Sequence, residues 1–385
     1  MVLTYRCITV VLCLIFFVLS ICLNMRLSPG LEMVIPRMLL ASWNQKALNG
    51  TSYKNMKMKP ILFYNSFYMW KDFTFGLGTE PFRTKCGRSD CRTTLNHSEF
   101  DNADVVVFYG QLFRSQVPKR GHNQQLFLYL NTEPPAQAAG RSKCFGLDIN
   151  LTISYRHDSS IQWPYGLTML KEKDDLPYVP LNASQLASKT IPVAWMVSRC
   201  KPASIRGEYV NELRKYIRVD IYGKCGNYTC SKQKKAYCMK LLEKQYKFYL
   251  SFENSICEDY ITEKTFRTLQ YNLVPVVMGG GNYKRDLPSH SFIDPRDFSS
   301  PKQLAEYLHH LDRTPKEYLK YFEWKHTHKI HRVMCNGSIP FCRLCEALHD
   351  ESTQYYSNFD VHEWWEGNHC IWTRENMSAV YHVYD

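Results

Sequence analysis

A dense run of polar residues follows one predicted strand and opens one predicted helix. The apolar strand expected at 248–252 leads into residues 253–264, the polar segment, which carries four carboxylates, an amide, hydroxyls and a lysine. A helix N-terminus offers free backbone N–H groups and a partial positive charge, which suit a diphosphate. Lys264 would neutralise the phosphates there, and Glu263 would accept hydrogen bonds from ribose hydroxyls. This pattern predicts a nucleotide-binding segment.

Other nucleotide and metal motifs are absent from the sequence. Neither GxGxxG nor GxxxxGK[ST] occurs, so a dinucleotide fold and a P-loop lose their best support. Glycines 279–281 follow the next strand and are either a phosphate cradle or a flexible turn. There is no Asp-x-Asp triplet, so we expect no metal site and no bound cofactor. A divalent cation, Mn²⁺ or Mg²⁺, is expected only to stimulate activity.

Alternating strands and helices surround these residues. Unbroken apolar runs at 104–109 and 125–130 are typical of parallel strands covered on both faces. Further strands are predicted at 61–64, 191–197, 219–223, 248–252 and 274–278, with helices near 204–216, 232–245 and from 262. The pattern predicts an α/β fold with two Rossmann-like domains facing a cleft, where strand ends deliver the ligand-binding loops.

The N-terminus and the sequons indicate the secretory pathway. Residues 7–23 carry no charge, and this apolar run is long enough to span a bilayer. An uncleaved anchor is favoured over a cleaved signal peptide, with the rest of the chain lumenal. Seven Asn-x-Ser/Thr sequons, all after this run, predict a glycoprotein; they lie at Asn49, Asn96, Asn150, Asn182, Asn227, Asn336 and Asn376. The net charge of +12 comes without a long basic run, which argues against a nucleic-acid partner.

The polar segment and the strands on either side of it resemble a known protein family. FYLSFENSICEDYITEKTFRTLQYNLVPVVMG, from 248 to 279, closely resembles the signature of the α1,3-fucosyltransferase family. NLTISYRHDSSIQWPYG at 150–166 and ADVVVFYG near 103 extend the resemblance to about residues 60–348. It implies a two-domain glycosyltransferase of the GT-B type. Such an enzyme moves fucose from GDP-fucose to a glycan with inversion of configuration.

The resemblance also implies residue roles. Glu133 matches the family's general base, although Glu-Pro-Pro stands here where Glu-Ser-Pro is commoner. Arg206 matches a diphosphate-binding arginine. Ser198 is expected to contact phosphate, although the following Arg199 departs from the family pattern. The remaining matches are the donor-binding Tyr260, Glu263 and Lys264, and the supporting Glu253 and Asn254.

Cysteines in the lumenal part are even in number, as a disulfide framework requires. The resemblance pairs Cys342 and Cys345 with cysteines at the front of the first domain, here Cys86 and Cys91, with the partners left open. A zinc site that includes Cys335 and His331 is a weaker alternative. Cys225 is expected to pair with Cys230 or Cys238.

The predicted organisation follows from these observations. It comprises a cytoplasmic tail (1–6), a transmembrane anchor (7–23), a stem (24–59), an acceptor-side domain (60–180), a GDP-fucose-binding domain (181–348) and a C-terminal tail (349–385). The tail holds Trp364, Trp365 and Trp372, which either line an acceptor groove or pack on the body. We expect a single-pass type II enzyme of the Golgi cisternae, an α1,3-fucosyltransferase acting on a GlcNAc-containing glycan. The alternatives are a fucosyltransferase of another linkage or acceptor, such as the core GlcNAc of N-glycans, and an inactive lectin-like membrane glycoprotein.

Overall fold

Two parallel sheets organise the part of the chain that the computed structural model describes, which is residues 57–65, 75–110, 118–138, 148–230, 235–334, 338–357 and 359–383. The strands are β1 (Lys59–Phe63), β2 (Cys91–Thr94), β3 (Val105–Tyr109), β4 (Leu126–Asn131), β5 (Asp148–Ile149), β6 (Leu151–Ser154), β7 (Ile161–Gln162), β8 (Leu167–Leu170), β9 (Ile191–Met196), β10 (Val219–Tyr222), β11 (Tyr246–Phe252), β12 (Val274–Met278), β13 (His328–His331) and β14 (Phe359–Asp360).

The first sheet has the order β2-β1-β3-β4-β6-β7, and all of its strand pairs are parallel. The second sheet has the order β10-β9-β11-β12 and is also parallel throughout. Every residue of β11 and β12 is buried, as expected for strands covered on both faces. In each sheet the carboxyl ends of all strands therefore meet at one edge.

Helices cover the sheets and cap their edges. They are α1 (Glu80–Cys86), α2 (Pro135–Ala138), α3 (Ala183–Ala187), α4 (Arg206–Leu213), α5 (Lys235–Gln245), α6 (Glu263–Leu269), α7 (Tyr283–Asp286), α8 (Pro301–Arg313), α9 (Pro315–Lys320), α10 (Ser338–His349), α11 (Val361–Glu366) and α12 (Arg374–Tyr381). The longest, α8, begins at Pro301 after Ser300, whose hydroxyl accepts the Gln303 N–H, and its apolar face packs into the core of the second sheet.

Two short antiparallel pairs join distant parts of the chain. β13 pairs with β8, and β14 pairs with β5. One apolar cluster also bridges the two sheets, since it contains Val106 and Tyr129 of the first sheet together with Tyr260 and Phe266 of the polar segment and α6. The loops at the sheet edges therefore share a packed core.

The predicted α/β architecture is confirmed, and each predicted strand is present to within about two residues. The short strands β2, β5–β8, β13 and β14 were not predicted, because runs of two to four residues carry little periodicity. The division into domains at 180/181 stays a prediction. In the described part of the chain no helix is long and apolar enough to cross a bilayer. The anchor predicted at 7–23 lies outside the described residues.

Five disulfides connect the described cysteines. Cys86 pairs with Cys342 and Cys91 with Cys345, so the resemblance predicted correctly that the front of the chain is bridged to α10. The zinc alternative is wrong because these cysteines are oxidised; Cys335 lies outside the described residues. The pairing expected for Cys225 is also wrong. The remaining disulfides are Cys200–Cys225, Cys230–Cys238 and Cys257–Cys370, none of which was predicted.

Candidate active site

Glu133 lies just beyond the carboxyl end of β4, where a parallel sheet places its functional groups. Asn131 Oδ1 accepts the Glu133 backbone N–H at 3.1 Å, and the Tyr165 hydroxyl donates to the Thr132 carbonyl at 2.8 Å. The chain then enters α2 directly at Pro135. The Glu-Pro-Pro sequence is thus compatible with an ordered turn, and the Glu133 side chain keeps access to solvent.

Tyr260 connects this turn to the polar segment. Its buried hydroxyl lies 3.4 Å from Glu133 Oε2. Beside it, Gln137 Nε2 donates to Ser255 Oγ at 2.6 Å and to the Asn254 carbonyl at 3.3 Å. The carboxylate predicted to act as the base therefore stands against the segment predicted to bind the donor, although the two are more than 100 residues apart in sequence.

The surroundings of Glu133 make it a better base. Desolvation raises the pKa of Glu133 above its usual value, and the opposing attraction of Lys264 does not cancel this effect. The Tyr260 hydrogen bond also opposes the rise. A carboxylate with a raised pKa holds a proton more strongly, which favours proton abstraction from a hydroxyl.

Glu253 organises the polar segment from inside the fold. Its fully buried carboxylate accepts the Thr262 N–H at 2.8 Å, the Thr262 hydroxyl at 2.9 Å and the Lys264 ammonium at 2.7 Å. Burial alone would lower the pKa of Lys264, but Glu253 and Glu263 outweigh it and the pKa is raised. Lys264 is therefore a cation, and its side chain keeps 26% of its surface exposed.

Two further residues of the segment offer acceptor oxygens. Glu263 opens α6 with a partly exposed carboxylate 3.7 Å from Arg267. Asn254 Oδ1 is buried and has no hydrogen-bond partner among the described atoms. Such an oxygen is available to a ligand that carries hydroxyl or amide donors.

Arg206 is buried and makes hydrogen bonds within the fold as well as lying near the predicted donor site. Its side chain is 4% exposed, and its guanidinium donates to the carbonyls of Phe252 and Arg199, each at 3.0 Å. Burial lowers the pKa of Arg206. These bonds tie the loop after β9 to the end of β11. Ser198, which lies in the loop after β9, is exposed. Direct contact of Arg206 or Ser198 with a diphosphate stays a prediction.

Sequence reasoning missed an aromatic layer behind Glu133. The rings of Tyr155 and Tyr165 pack on Tyr260, with centroids 5.0 and 6.0 Å away, and Trp365 packs on Tyr155 at 5.8 Å. Tyr155 and Tyr165 follow the short strands β6 and β7, which were not predicted, and the only signal for them was their place in the segment 150–166 that carries the family resemblance. Of the two alternatives given for Trp365, the structure favours packing on the body, because its ring is buried in the core.

A group with metal-ligand chemistry lies nearby but is already satisfied. His157, Asp259 and Asp286 line a cavity of about 50 Å³ next to Tyr155. Arg285 donates to Asp259 at 2.6 Å and to Asp286 at 2.8 Å. These ion pairs offset the charges of both carboxylates, so their proximity does not require a metal ion.

The predicted glycosylation sites differ in their surroundings. Asn96, Asn182, Asn227 and Asn376 are exposed, whereas Asn49 and Asn336 lie outside the described residues. Asn150 is engaged at both ends of its amide, because Oδ1 accepts the Phe127 N–H at 2.9 Å and Nδ2 donates to the Tyr356 carbonyl at 3.0 Å.

Both halves of the chain match models of known protein families. Residues 186–364 match the C-terminal model of glycosyltransferase family 10 (fucosyltransferase), and residues 56–166 match the N-terminal fucosyltransferase model. Glycoprotein 3-α-L-fucosyltransferase A of Drosophila melanogaster is 33% identical over 359 residues, which are 90% of this chain and 67% of that protein. α-(1,3)-Fucosyltransferase C of the same species is 34% identical over 80% of this chain and 77% of its own length.

A human relative and a solved structure are also fucosyltransferases. Human 4-galactosyl-N-acetylglucosaminide 3-α-L-fucosyltransferase FUT5 is 38% identical over 72% of this chain and 75% of that protein. A crystal structure of an α1,3-fucosyltransferase with GDP-fucose superposes with a TM-score of 0.53 at 16% identity, covering 80% of this chain and 95% of that one. The structural match shows a shared fold.

Proposed function

The chain belongs to glycosyltransferase family 10, the fucosyltransferases, and from this premise we propose that it transfers L-fucose from GDP-fucose to the 3-hydroxyl of a GlcNAc residue in a glycan. The observation that carries the proposal is the contact of Glu133 with Tyr260. It joins a solvent-accessible carboxylate with a raised pKa to the segment that resembles the family's donor site.

The reaction is a single displacement. Glu133 takes the proton of the acceptor hydroxyl while its oxygen forms a bond to the anomeric carbon of fucose. The bond from that carbon to the β-phosphate oxygen breaks at the same time, and GDP leaves with the bonding electrons. Because attack comes from the face opposite the leaving group, the β-linked donor gives an α-linked product.

The leaving group requires positive charge. Lys264 is held cationic at the edge of the polar segment by the buried Glu253, so it is placed before the donor arrives. Fixed charge at the position of the developing anion lowers the barrier without reorganisation. Glu263 is assigned to the ribose hydroxyls, and Asn254 Oδ1 is a second acceptor for donor hydroxyls.

The architecture assigned to this chemistry is GT-B, with the acceptor over the first sheet and GDP-fucose over the second. We assign the chain to the Golgi membrane as a single-pass type II glycoprotein. The sequons and the five disulfides support an oxidising compartment. A divalent cation is assigned only a stimulating role.

The test uses the secreted fragment from about residue 55 with labelled GDP-fucose. LacNAc-type, LacdiNAc-type and core N-glycan acceptors are offered in parallel to the wild type, to Glu133→Gln and to the exposed control Glu172→Gln. We expect transfer to one acceptor class by the wild type and the control. Glu133→Gln should lose about 10²- to 10⁴-fold in kcat, the usual contribution of a general base, with GDP affinity retained.

Each alternative has its own outcome. GDP binding without transfer to any acceptor would favour the inactive lectin-like protein. Product analysis showing another linkage would favour the hypothesis of a fucosyltransferase with a different linkage or acceptor. A Glu133→Gln variant that is as active as the wild type would remove Glu133 from the mechanism.

A further inference from the structure

The C-terminal strap, residues 367–383, lies against the donor side of the site. The family match ends at residue 364, so the strap lies beyond the part of the chain that the family description covers. It runs from the end of α11 through an irregular stretch into α12. Trp365, just before it, is fully buried in the cluster that joins the two sheets, so the strap leaves from a firm anchor.

The strap first pairs with the middle of the polar segment. Cys370 forms the disulfide with Cys257. On either side of it, Ile371 N–H donates to the Ile256 carbonyl at 2.8 Å, and Glu258 N–H donates to the His369 carbonyl at 2.7 Å. Residues 256–258 are thus held by one covalent bond and two backbone hydrogen bonds.

The opposite side of residues 256–258 faces the glycine turn 279–281. Glu258 and Gly280 form a parallel bridge, and a Cβ at Gly280 would lie 2.2 Å from the Cys257 carbonyl oxygen. The polar segment is therefore packed between the strap and the turn. This close approach explains why glycine stands at 280, and it favours an ordered turn over a flexible one.

The strap also holds the glycine turn itself. The Tyr381 hydroxyl accepts the Gly279 N–H at 3.0 Å and donates to the Gly279 carbonyl at 2.8 Å. Tyr381 is 1% exposed, so these two hydrogen bonds are shielded from water. A hydroxyl that satisfies both backbone groups of one residue fixes the orientation of that peptide unit.

We propose that the C-terminal strap is a positioning element of the donor site, with Cys370 and Tyr381 as its positioning residues. Cys370 holds the residues that lead into Tyr260, Glu263 and Lys264, and Tyr381 holds the turn behind them. This inference rests on the proposed function, because its readout is affinity for GDP-fucose and GDP.

The experiment compares two strap variants with matched controls in the same secreted fragment. Tyr381→Phe removes only the hydroxyl. Its control is Tyr307→Phe on α8, which removes a hydroxyl that is hydrogen-bonded to the Tyr321 hydroxyl at 2.8 Å. The double variant Cys257→Ser/Cys370→Ser removes the disulfide without leaving a thiol. Its control removes the Cys230–Cys238 disulfide in the same way.

If the strap keeps the donor site in its binding-competent conformation, disrupting the strap lowers the fraction of molecules that can bind GDP or GDP-fucose. The apparent affinity for these ligands then falls in proportion to that fraction. We expect donor KM and GDP Kd to rise about tenfold in both strap variants, while kcat at saturating donor stays within about twofold. The controls should match the wild type. A merely structural role would instead lower kcat through loss of folded enzyme and leave donor KM unchanged, and that result overturns the proposal.

Direct measurement of GDP binding separates this proposal from the function. Weak GDP binding in the strap variants supports the strap even if no acceptor is found. Wild-type protein that binds no GDP overturns both.

Discussion

Replacing Glu253 by glutamine tests whether the buried carboxylate organises the donor segment. The side chain is fully buried and accepts bonds from Thr262 and Lys264, so Glu253→Gln keeps the size but removes the charge. Breaking a buried ion pair from one side costs about 3–5 kcal/mol, because the remaining charge is left uncompensated. Lys264 is partly exposed and can turn towards water, so we expect the lower end, about 3 kcal/mol.

The assay is a double-mutant cycle of Glu253→Gln, Lys264→Met and the double variant, followed by denaturant unfolding. Residues in direct contact couple by about 0.5–3 kcal/mol, so the double variant should be more stable than the sum of the single losses predicts. GDP affinity should fall in Lys264→Met, since the phosphates lose a cation. The exposed Glu172→Gln should change neither stability nor affinity.

Three results would refute this reasoning. A loss below about 1 kcal/mol in Glu253→Gln would show that the buried carboxylate is not paired as described. Additive single losses would show that Glu253 and Lys264 act independently. Unchanged GDP affinity in Lys264→Met would remove this lysine from the donor site.

Three further predictions concern other residues. Tyr260→Phe removes a hydrogen bond that lowers the pKa of Glu133, so that pKa rises and the acid limb of kcat/KM should move to higher pH; a pH–rate profile with an unmoved limb would contradict this. Burial lowers the pKa of Lys325 to about 7, so the unfolded chain binds more protons between about pH 7 and 10 and stability should rise with pH there. Lys325→Met should flatten that part of the curve in unfolding measurements, and an unchanged slope would count against it. Mass spectrometry of the secreted fragment should find Asn150 without a glycan, because both ends of its amide are hydrogen-bonded within the fold; a fully occupied Asn150 would contradict this prediction.

Local chemistry made part of this molecule readable from its sequence. Unbroken apolar runs predicted the long strands, because a strand covered on both faces needs apolar residues at every position. The polar segment was predicted as a ligand site because it follows such a strand, and Glu133 was found through the family resemblance. The even number of cysteines after the apolar N-terminal run indicated disulfides without showing every pair.

Only the tertiary structure decided the long-range contacts. The cysteine pairs Cys200–Cys225 and Cys257–Cys370 depend on which loops come within bonding distance, and no spacing in the sequence encodes that. The contact of Tyr260 with Glu133 and the bonds of Tyr381 to Gly279 likewise join residues more than 100 positions apart. Such contacts follow from how the two sheets and the C-terminal strap pack around a shared core, whereas a sequence pattern reports only each element's own period.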